Sequence, residues 1–369
     1  MIDGATGDGR AALPPGSVIG ILGGGQLGRM LALAAARLGL RAHVYAPEGD
    51  NPAFDVAHAH SEAAWDDAAA LSRFAGVVDV ITYEFENVPL STAEFLAERK
   101  PLRPGVEALR VAQDRFNEKR FVADLGIPTP PFVNIETPED LEAARRLPLP
   151  AVLKTRRLGY DGKGQALVRP GDDVAAAWEA LGRVPCLLEG FVEFACEVSA
   201  LVARGVDGRI VAFDVPRNEH EHHILRRSHV PSGLRAETER AAQDIARKLA
   251  EALDYVGVLA VELFVVRRAD GAEELVFNEM APRVHNSGHW TEAACVISQF
   301  EAHVRAVAGW PLPAPARHHD CVMTNILGAE ADDWAALAAE EEAVLHLYGK
   351  RAVKPGRKMG HITRLLRPA

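Results

Sequence analysis

The chain has 369 residues, 48% hydrophobic and 25% charged, enough for two or three domains with real cores. A formal net charge of −10 argues against bulk attraction to nucleic acid or an anionic membrane, and no apolar run approaches membrane-spanning length. The cysteines (Cys186, Cys196, Cys295, Cys321) are scattered without a CxxC, which favours reduced thiols in a cytoplasmic protein over a disulfide frame or a zinc site.

Met1–Ser17 is rich in Gly, Asp and Pro, lacks an apolar signal core and reads as a flexible extension. Val18–Leu22 is a short buried strand, followed by Gly23-Gly24-Gly25-Gln26-Leu27-Gly28 and a helix over Arg29–Leu38. Glycines 23, 25 and 28 match G-x-G-x-x-G, and Glu48 lies 20 residues past Gly28, after the strand Arg41–Ala46. This spacing makes a nicotinamide-dependent oxidoreductase the natural rival reading. Glycines at a helix N-terminus bind anions of any kind, however, or let backbone approach a ligand closely. A further strand over Gly76–Tyr83 ends in Glu84, Glu86 and Asn87 at its carboxyl end, where open α/β sheets bind ligands. Glu84 is therefore a candidate substrate contact; the alternative is a solvated loop acid.

A helix from Asp114 to Leu125 ends at Gly126, and Ile127–Pro131 reads as an extended joint. Ala151–Lys154 is a strand ending in a lysine, and Gly159-Tyr160-Asp161-Gly162-Lys163-Gly164 follows as a glycine loop with one more cation. It is not a Walker loop, which needs Gly-Lys-Ser/Thr entering a helix. A strand lysine under a glycine flap suits a nucleotide held between sheets. Leu187–Val192 then leads to Glu197 on a second strand.

Val258–Arg268 and Glu273–Met280 are two β-rich runs separated by Asp270-Gly271, a dipeptide suited to a two-residue hairpin. Direct partners in such a hairpin have residue numbers of constant total, and Glu262 and Glu279 share the total of Asp270 and Gly271. The two carboxylates would then face each other on one side of the sheet. A divalent cation would offset their repulsion and lost hydration, and Asn278 offers another oxygen. Oxygen ligands without Cys or His point to Mg²⁺ carried with a nucleotide's phosphates. The alternative is a hairpin whose acids face water. The next stretch, Met280–Thr291, crowds Arg283, His285, Asn286, Ser287 and His289 into one loop, suited to an anion or a developing negative charge. Thr291 caps a helix running to about Ala308.

The order of Lys154, the glycine loop, Glu189–Val192, Glu197, Glu262 and Asn278-Glu279 resembles that of the ATP-grasp carboxylate–amine ligases. More closely, GGGQLGRM, TYEFENVP, GYDGKGQ, AVELF, NEMAPRVHNSGHWT and KPGRKMGH resemble the 5-(carboxyamino)imidazole ribonucleotide synthase family of purine biosynthesis, from about Val18 to His361. The resemblance implies an α/β ATP-grasp fold with an N-terminal Rossmann-like domain that binds no dinucleotide and a small β-rich C-terminal domain. It places the flexible extension at 1–17, the substrate-binding domain at 18–112, the ATP-grasp domain at 113–310 and a phosphate-binding domain at 311–369. It implies that Arg115, Lys154, Gly159, Tyr160, Asp161, Gly162, Lys163, Gly164, Gln165, Glu189, Gly190, Phe191, Val192, Glu197, His220, Asn278 and Glu279 hold ATP. Glu262 and Glu279 would hold Mg²⁺, and Arg283, His285 and Asn286 would face bicarbonate and the carboxyphosphate made from it. Gln26, Glu84, Lys354, Arg357 and Lys358 would take aminoimidazole ribonucleotide. Lys350, Arg351, Lys354, Arg357 and Lys358 do form a positive patch on an acidic protein, fit for one phosphate. A nucleic-acid patch is disfavoured because no aromatic platform accompanies it.

Two departures stand out. The family pattern continues past the GH of KPGRKMGH with a strand–helix unit, so a shortened third domain is expected here. Asn218-Glu219-His220-Glu221-His222-His223 holds three histidines where one and a glycine are expected, leaving a transition-metal site as an alternative to one ligand-facing histidine in an exposed loop. The expected protein is a cytoplasmic, homodimeric ATP-dependent carbon–nitrogen ligase acting on small molecules; a dehydrogenase and a catalytically silent nucleotide-binding regulator are the rivals.

Overall fold

A computed structural model describes residues 11–159 and 163–368. The first sheet is parallel, in the spatial order Ala59–Glu62, Arg41–Ala46, Val18–Leu22, Val80–Tyr83. Its strands Val18–Leu22 and Val80–Tyr83 are nearly continuous apolar runs because helices cover them, among them Gln26–Arg37 and Ala68–Val77, whereas the edge strand Ala59–Glu62 is polar and half exposed. The strand expected over Gly76–Tyr83 is shorter than that. Gly76 and Val77 finish the preceding helix, and the chain becomes extended only from Val78.

Two antiparallel sheets form the rest. A four-stranded sheet runs Phe132–Ile135, Cys186–Gly190, Ala151–Thr155, Gln165–Val168. The larger, nine-stranded sheet begins with the hairpin Gly257–Arg267 and Glu273–Ala281. It continues through Cys196–Arg204, which also pairs with the short strand Ile210–Ala212, then Arg217–Glu221 and Ile224–Val230 to His319–Leu327, Lys358–Pro368 and Ala343–Leu347. The C-terminal strands therefore extend the central sheet through the pairing of Ile224–Val230 with His319–Leu327. Helix Ala236–Ala252 buries Ala242, Ala246, Leu249 and Ala250 against the hairpin and Cys196–Arg204. Helix Gln299–Val307 packs on the hairpin strand Gly257–Arg267 and also on helix Gln26–Arg37, which ties the first sheet to the central one. His303 reinforces that tie, with Nε2 2.8 Å from Thr82 Oγ1 and Nδ1 accepting from Val258 N at 3.0 Å.

Two further expectations change here. The helix expected from Thr291 to Ala308 is two pieces, Thr291–Ala294 and Gln299–Val307. Between them Val296 N donates to Ala316 O, and Ser298 caps the second piece by accepting from Glu301 N at 3.1 Å. The β-branched pair Val296-Ile297 followed by a capping serine explains the break. At the N-terminus, Leu13–Ser17 is fixed rather than flexible. Leu13 N donates to Ala308 O (2.9 Å), Trp310 Nε1 donates to Leu13 O (2.7 Å), and Gly16 N donates to Gly39 O (2.8 Å).

Candidate active site

The hairpin does place Glu262 opposite Glu279, though by a different route from a two-residue turn. Arg268 N donates to Ala272 O, so three residues, Ala269–Gly271, make the loop, with Gly271 at φ +81° supplying its left-handed position. The pairing from that loop outward runs one residue out of the expected register as far as Leu263↔Phe277. Asn278 is then an extra residue, a β-bulge, and restores the opposition of Glu262 and Glu279.

Lys119 holds the bulge from behind. Its side chain is 2% exposed, and its ammonium donates to Asn278 O at 2.6 Å and Phe277 O at 3.2 Å and lies 3.1 Å from Glu189 Oε1. Beside it, Glu118 is buried and accepts from Met280 N at 2.8 Å. Burial and then the Glu279 charge push Glu118 up to about 8. This pair escaped sequence reading. Arg115, Glu118 and Lys119 sit one turn apart on the helix Arg115–Asp124, a charged stripe that ordinarily faces water. The available signal was that helix's order, directly before an inter-domain joint.

A cleft of ≈ 540 Å³ opens over the hairpin. It is lined by the cations Arg115, Lys154, Arg156 and Lys163, by Glu262, Asn278 and Glu279 of the hairpin, and by Arg283, His285 and Lys358. Arg115 pairs with Glu279 at 2.8 Å and donates to Gly159 O at 3.1 Å. Burial alone would raise Glu279, but the charge and hydrogen bond of Arg115 outweigh it and bring it down to about 2. Glu262 goes the other way, to about 7, through burial and then the charge of Glu279. Glu262 is half-buried and Glu279 more open to the cleft, at 14% and 41% side-chain exposure, and two facing carboxylates with opposed shifts form a pair that a cation would relieve.

Arg283 Nε donates to Glu86 at 2.5 Å, a partner supplied by the loop after strand Val80–Tyr83 of the first sheet. His285 Nε2 is 3.1 Å from Glu262, and its Nδ1 is 2.8 Å from Ser287 Oγ. Burial, then Arg283 and Lys358, bring His285 down to about 3, so its imidazole is neutral at pH 7. Asn286 lines the cleft, yet its amide is engaged in a reciprocal pair with Asn325, at 2.9 and 2.7 Å. Asn325, on strand His319–Leu327, carried no sequence signal.

The remaining expected residues divide. Gly159, Lys163, Gln165, Phe191, Glu197 and His220 line the cleft, whereas Gly164, Glu189, Gly190 and Val192 do not. Tyr160, Asp161 and Gly162 lie outside the described residues. Glu189 is buried and bound to Lys154 at 2.6 Å, so its side chain supports the wall from within. His220 Nδ1 lies 2.9 Å from Glu197 Oε2, close enough for an ion pair though off-axis for a hydrogen bond. Burial opposes charging of His220, but Glu197 and Glu262 outweigh that and raise it. His222 and His223, at φ +52° and +65°, form the two-residue turn between Glu221 and Ile224. Only His220 of the three joins Glu197 and Glu262, in a group whose ligand atoms lie within 4.8 Å of one another.

Gln26, Glu84, Lys354 and Arg357 are not among the lining residues, and Lys354 is exposed. Arg357 pairs with Asp50 at 2.9 Å, and Arg351 N and Ala352 N also donate to Asp50, which docks the basic stretch onto the first domain. Glu84 is buried and accepts from Gly25 N at 2.5 Å and Gly28 N at 2.6 Å. The protein's own carboxylate thus occupies the anion position of the glycine loop. A Cβ on Gly23 would come within 2.4 Å of Glu84 Cγ, and one on Gly25 within 2.6 Å of Glu84 Oε1. The glycines make room for Glu84, and the dinucleotide reading loses its pyrophosphate site. A second groove, ≈ 590 Å³ along helix Ala236–Ala252, is lined by none of the expected site residues.

Family models match three consecutive stretches: the ribonucleotide synthetase preATP-grasp domain over 17–113, the ATP-grasp domain over 120–300, and the phosphoribosylaminoimidazole carboxylase C-terminal domain over 321–367. Fold and cleft together define an ATP-grasp ligase. The N5-carboxyaminoimidazole ribonucleotide synthase of Brucella melitensis biotype 1 is 51% identical over 359 residues, 96% of this chain and 98% of that one. The crystal structure of an ADP complex of an N5-carboxyaminoimidazole ribonucleotide synthetase superposes with a TM-score of 0.91 at 41% identity, covering 96% of this chain and 94% of that one. The Aspergillus clavatus synthase, in complex with ADP and 5-aminoimidazole ribonucleotide, gives 0.87 at 31% identity, covering 96% and 94%. The chain belongs to the N5-carboxyaminoimidazole ribonucleotide synthase family. With 98% of the Brucella relative matched, the further strand–helix unit expected after His361 is not a feature of that relative.

Proposed function

We infer that the chain uses ATP and bicarbonate to carboxylate the exocyclic amine of 5-aminoimidazole ribonucleotide, giving N5-carboxyaminoimidazole ribonucleotide for purine biosynthesis. The observation that carries this reading is the opposition of Glu262 and Glu279 beneath Arg115, Lys154 and Lys163, in one cleft with Arg283 and His285. This arrangement supports a metal–triphosphate site contiguous with an anion pocket.

A bicarbonate oxygen attacks the γ-phosphorus, the bond to the β–γ bridging oxygen breaks, and ADP leaves. The amine nitrogen then attacks the carboxyl carbon of carboxyphosphate. The bond from carbon to the phosphate oxygen breaks, and phosphate leaves with the electron pair and takes up the amine proton. Arg115, Lys154 and Lys163 balance charge along the triphosphate, and Arg283 stands beside the bicarbonate. Neutral His285 donates or accepts a hydrogen bond there without repelling a cation. Asn286, held by Asn325, fixes the loop that presents both.

Mg²⁺ fits these residues, because Glu262, Glu279 and Asn278 offer only oxygen donors and the acidic pair is raised and lowered against itself. When bound, the ion supplies charge neutralisation on the β- and γ-phosphate oxygens. Lys350, Arg357 and Lys358 supply positive charge for the ribonucleotide phosphate, near the first domain that Asp50 joins to them. A homodimer in the cytoplasm completes the reading; four free thiols suit a reducing compartment. The test is ADP release with each substrate omitted in turn. Slow hydrolysis of ATP alone, rising sharply with the ribonucleotide and requiring bicarbonate, is expected. Full-rate release without bicarbonate would overturn it.

A further inference from the structure

We propose that Glu292, His346 and His361 form a site for a late first-row divalent metal, with zinc as the ion of best fit, separate from the cleft. The strands Ala343–Leu347 and Lys358–Pro368 are antiparallel, and His346 and His361 are direct cross-strand partners with rings stacked at 4.6 Å. Glu292, on the short helix Thr291–Ala294, reaches them from the loop side, its Oε2 3.6 Å from His346 Nδ1. One ligand atom from each residue lies within 4.8 Å of the others.

Two further observations point to a cation. His361 is fully buried; its Nδ1 is 2.8 Å from the Tyr348 hydroxyl, while its Nε2 has no hydrogen-bond partner among the described residues. A ring fixed through one nitrogen, with the other left as a donor, is the arrangement of a metal-bound histidine and its supporting partner. Glu292 Oε2 is likewise buried without a hydrogen-bond partner. Two imidazoles with one carboxylate suit zinc over magnesium or calcium, which take oxygen ligands. The side chains of His346 and Glu292 are 29% and 23% exposed, which gives entry from solvent and room for water as a fourth ligand. None of the three lines the cleft. A metal here would staple the loop that carries Arg283 and His285 to the far edge of the C-terminal strands.

The test titrates the full chain, stripped with chelator and kept in excess Mg²⁺, with Co²⁺ followed by its visible d–d spectrum, and with Zn²⁺ by calorimetry. One equivalent of each is expected to bind at micromolar concentration or below, Zn²⁺ displacing Co²⁺ and raising Tm. Glu292→Gln and His346→Gln, both at partly exposed positions, should weaken binding by roughly 100-fold and remove the Tm increment. His220→Gln, which disables the only other such group among the described residues, should leave binding unchanged. Millimolar binding in the parent chain, no loss in either variant, or loss only in His220→Gln would each overturn the proposal. In the first case a proton shared between Glu292 and His346 is what holds the cluster.

Discussion

Two glycine-rich segments of this chain have opposite fates. At Gly23–Gly28 the glycines admit Glu84, whose carboxylate takes the amides a ligand would otherwise use. At the second segment, Gly159, Lys163 and Gln165 border the cleft, and the charged groups beneath them are aimed at a space of ≈ 540 Å³. Similar composition therefore means self-sealing in one place and ligand access in the other. At the first loop it is an acid from the end of a neighbouring strand, Glu84, that reaches the loop amides.

The strongest way to sharpen this contrast is to neutralise one acid from each region. Glu262→Gln and Glu279→Gln should each lower turnover about a hundredfold or more while leaving Tm near that of the parent, since ion placement depends on both. Glu84→Gln should do the reverse, costing about 1–3 kcal/mol of stability by turning an acceptor of two amide bonds into a mismatched amide. Parent-like turnover in either cleft variant would break the comparison.

Lys119→Met comes next. Losing the clamp on Asn278 O should slow turnover roughly ten- to a hundredfold, with Mg²⁺ dependence shifted to higher concentration. The same lysine gives a pH test. Burial would raise Glu189, but Lys119 and Lys154 outweigh it and hold Glu189 at about 2, below its ordinary value of 4.5. A depressed carboxylate stabilises the fold fully above the unfolded value and loses that contribution as pH falls towards about 2. Unfolding followed by denaturant should show of order 3 kcal/mol lost across that window, and less in Lys119→Met.

A smaller effect separates the two loops directly. Gly164→Ala, at φ +70° with its Cβ 2.6 Å from Thr155 Oγ1, should raise the KM for ATP about tenfold with little change in KM for the ribonucleotide. Gly25→Ala should lower Tm and leave the KM for ATP unchanged. The smallest expected effect is none: calorimetry should give no saturable micromolar heat with NAD or NADP, and such heat would reopen the sealed loop.

The sequence made much of this legible, for identifiable reasons. Two β-rich runs and Asp270-Gly271 marked the hairpin, and Glu262 still faces Glu279 because a longer loop and the Asn278 bulge offset one another. Neither device has a side-chain signature that spacing alone reveals. Glu84 could be placed at the carboxyl end of its strand, but not its turn towards Gly25 and Gly28, which depends on how the strand and loop pack. Glu118, Lys119 and Asn325 were silent because a polar residue buried by tertiary contact looks the same in sequence as one facing water. The split of Thr291–Ala308 was readable in principle from Val296-Ile297-Ser298.

The most direct measurement of the central claim follows oxygen. Bicarbonate labelled with ¹⁸O, supplied with ATP and 5-aminoimidazole ribonucleotide, should deliver one labelled oxygen to each inorganic phosphate released, in step with ADP and with label in the carbamate. That transfer requires the bicarbonate oxygen to have bonded to the γ-phosphorus above Glu262 and Glu279. Phosphate whose one newly acquired oxygen comes from solvent rather than from bicarbonate, at full turnover, would contradict the account.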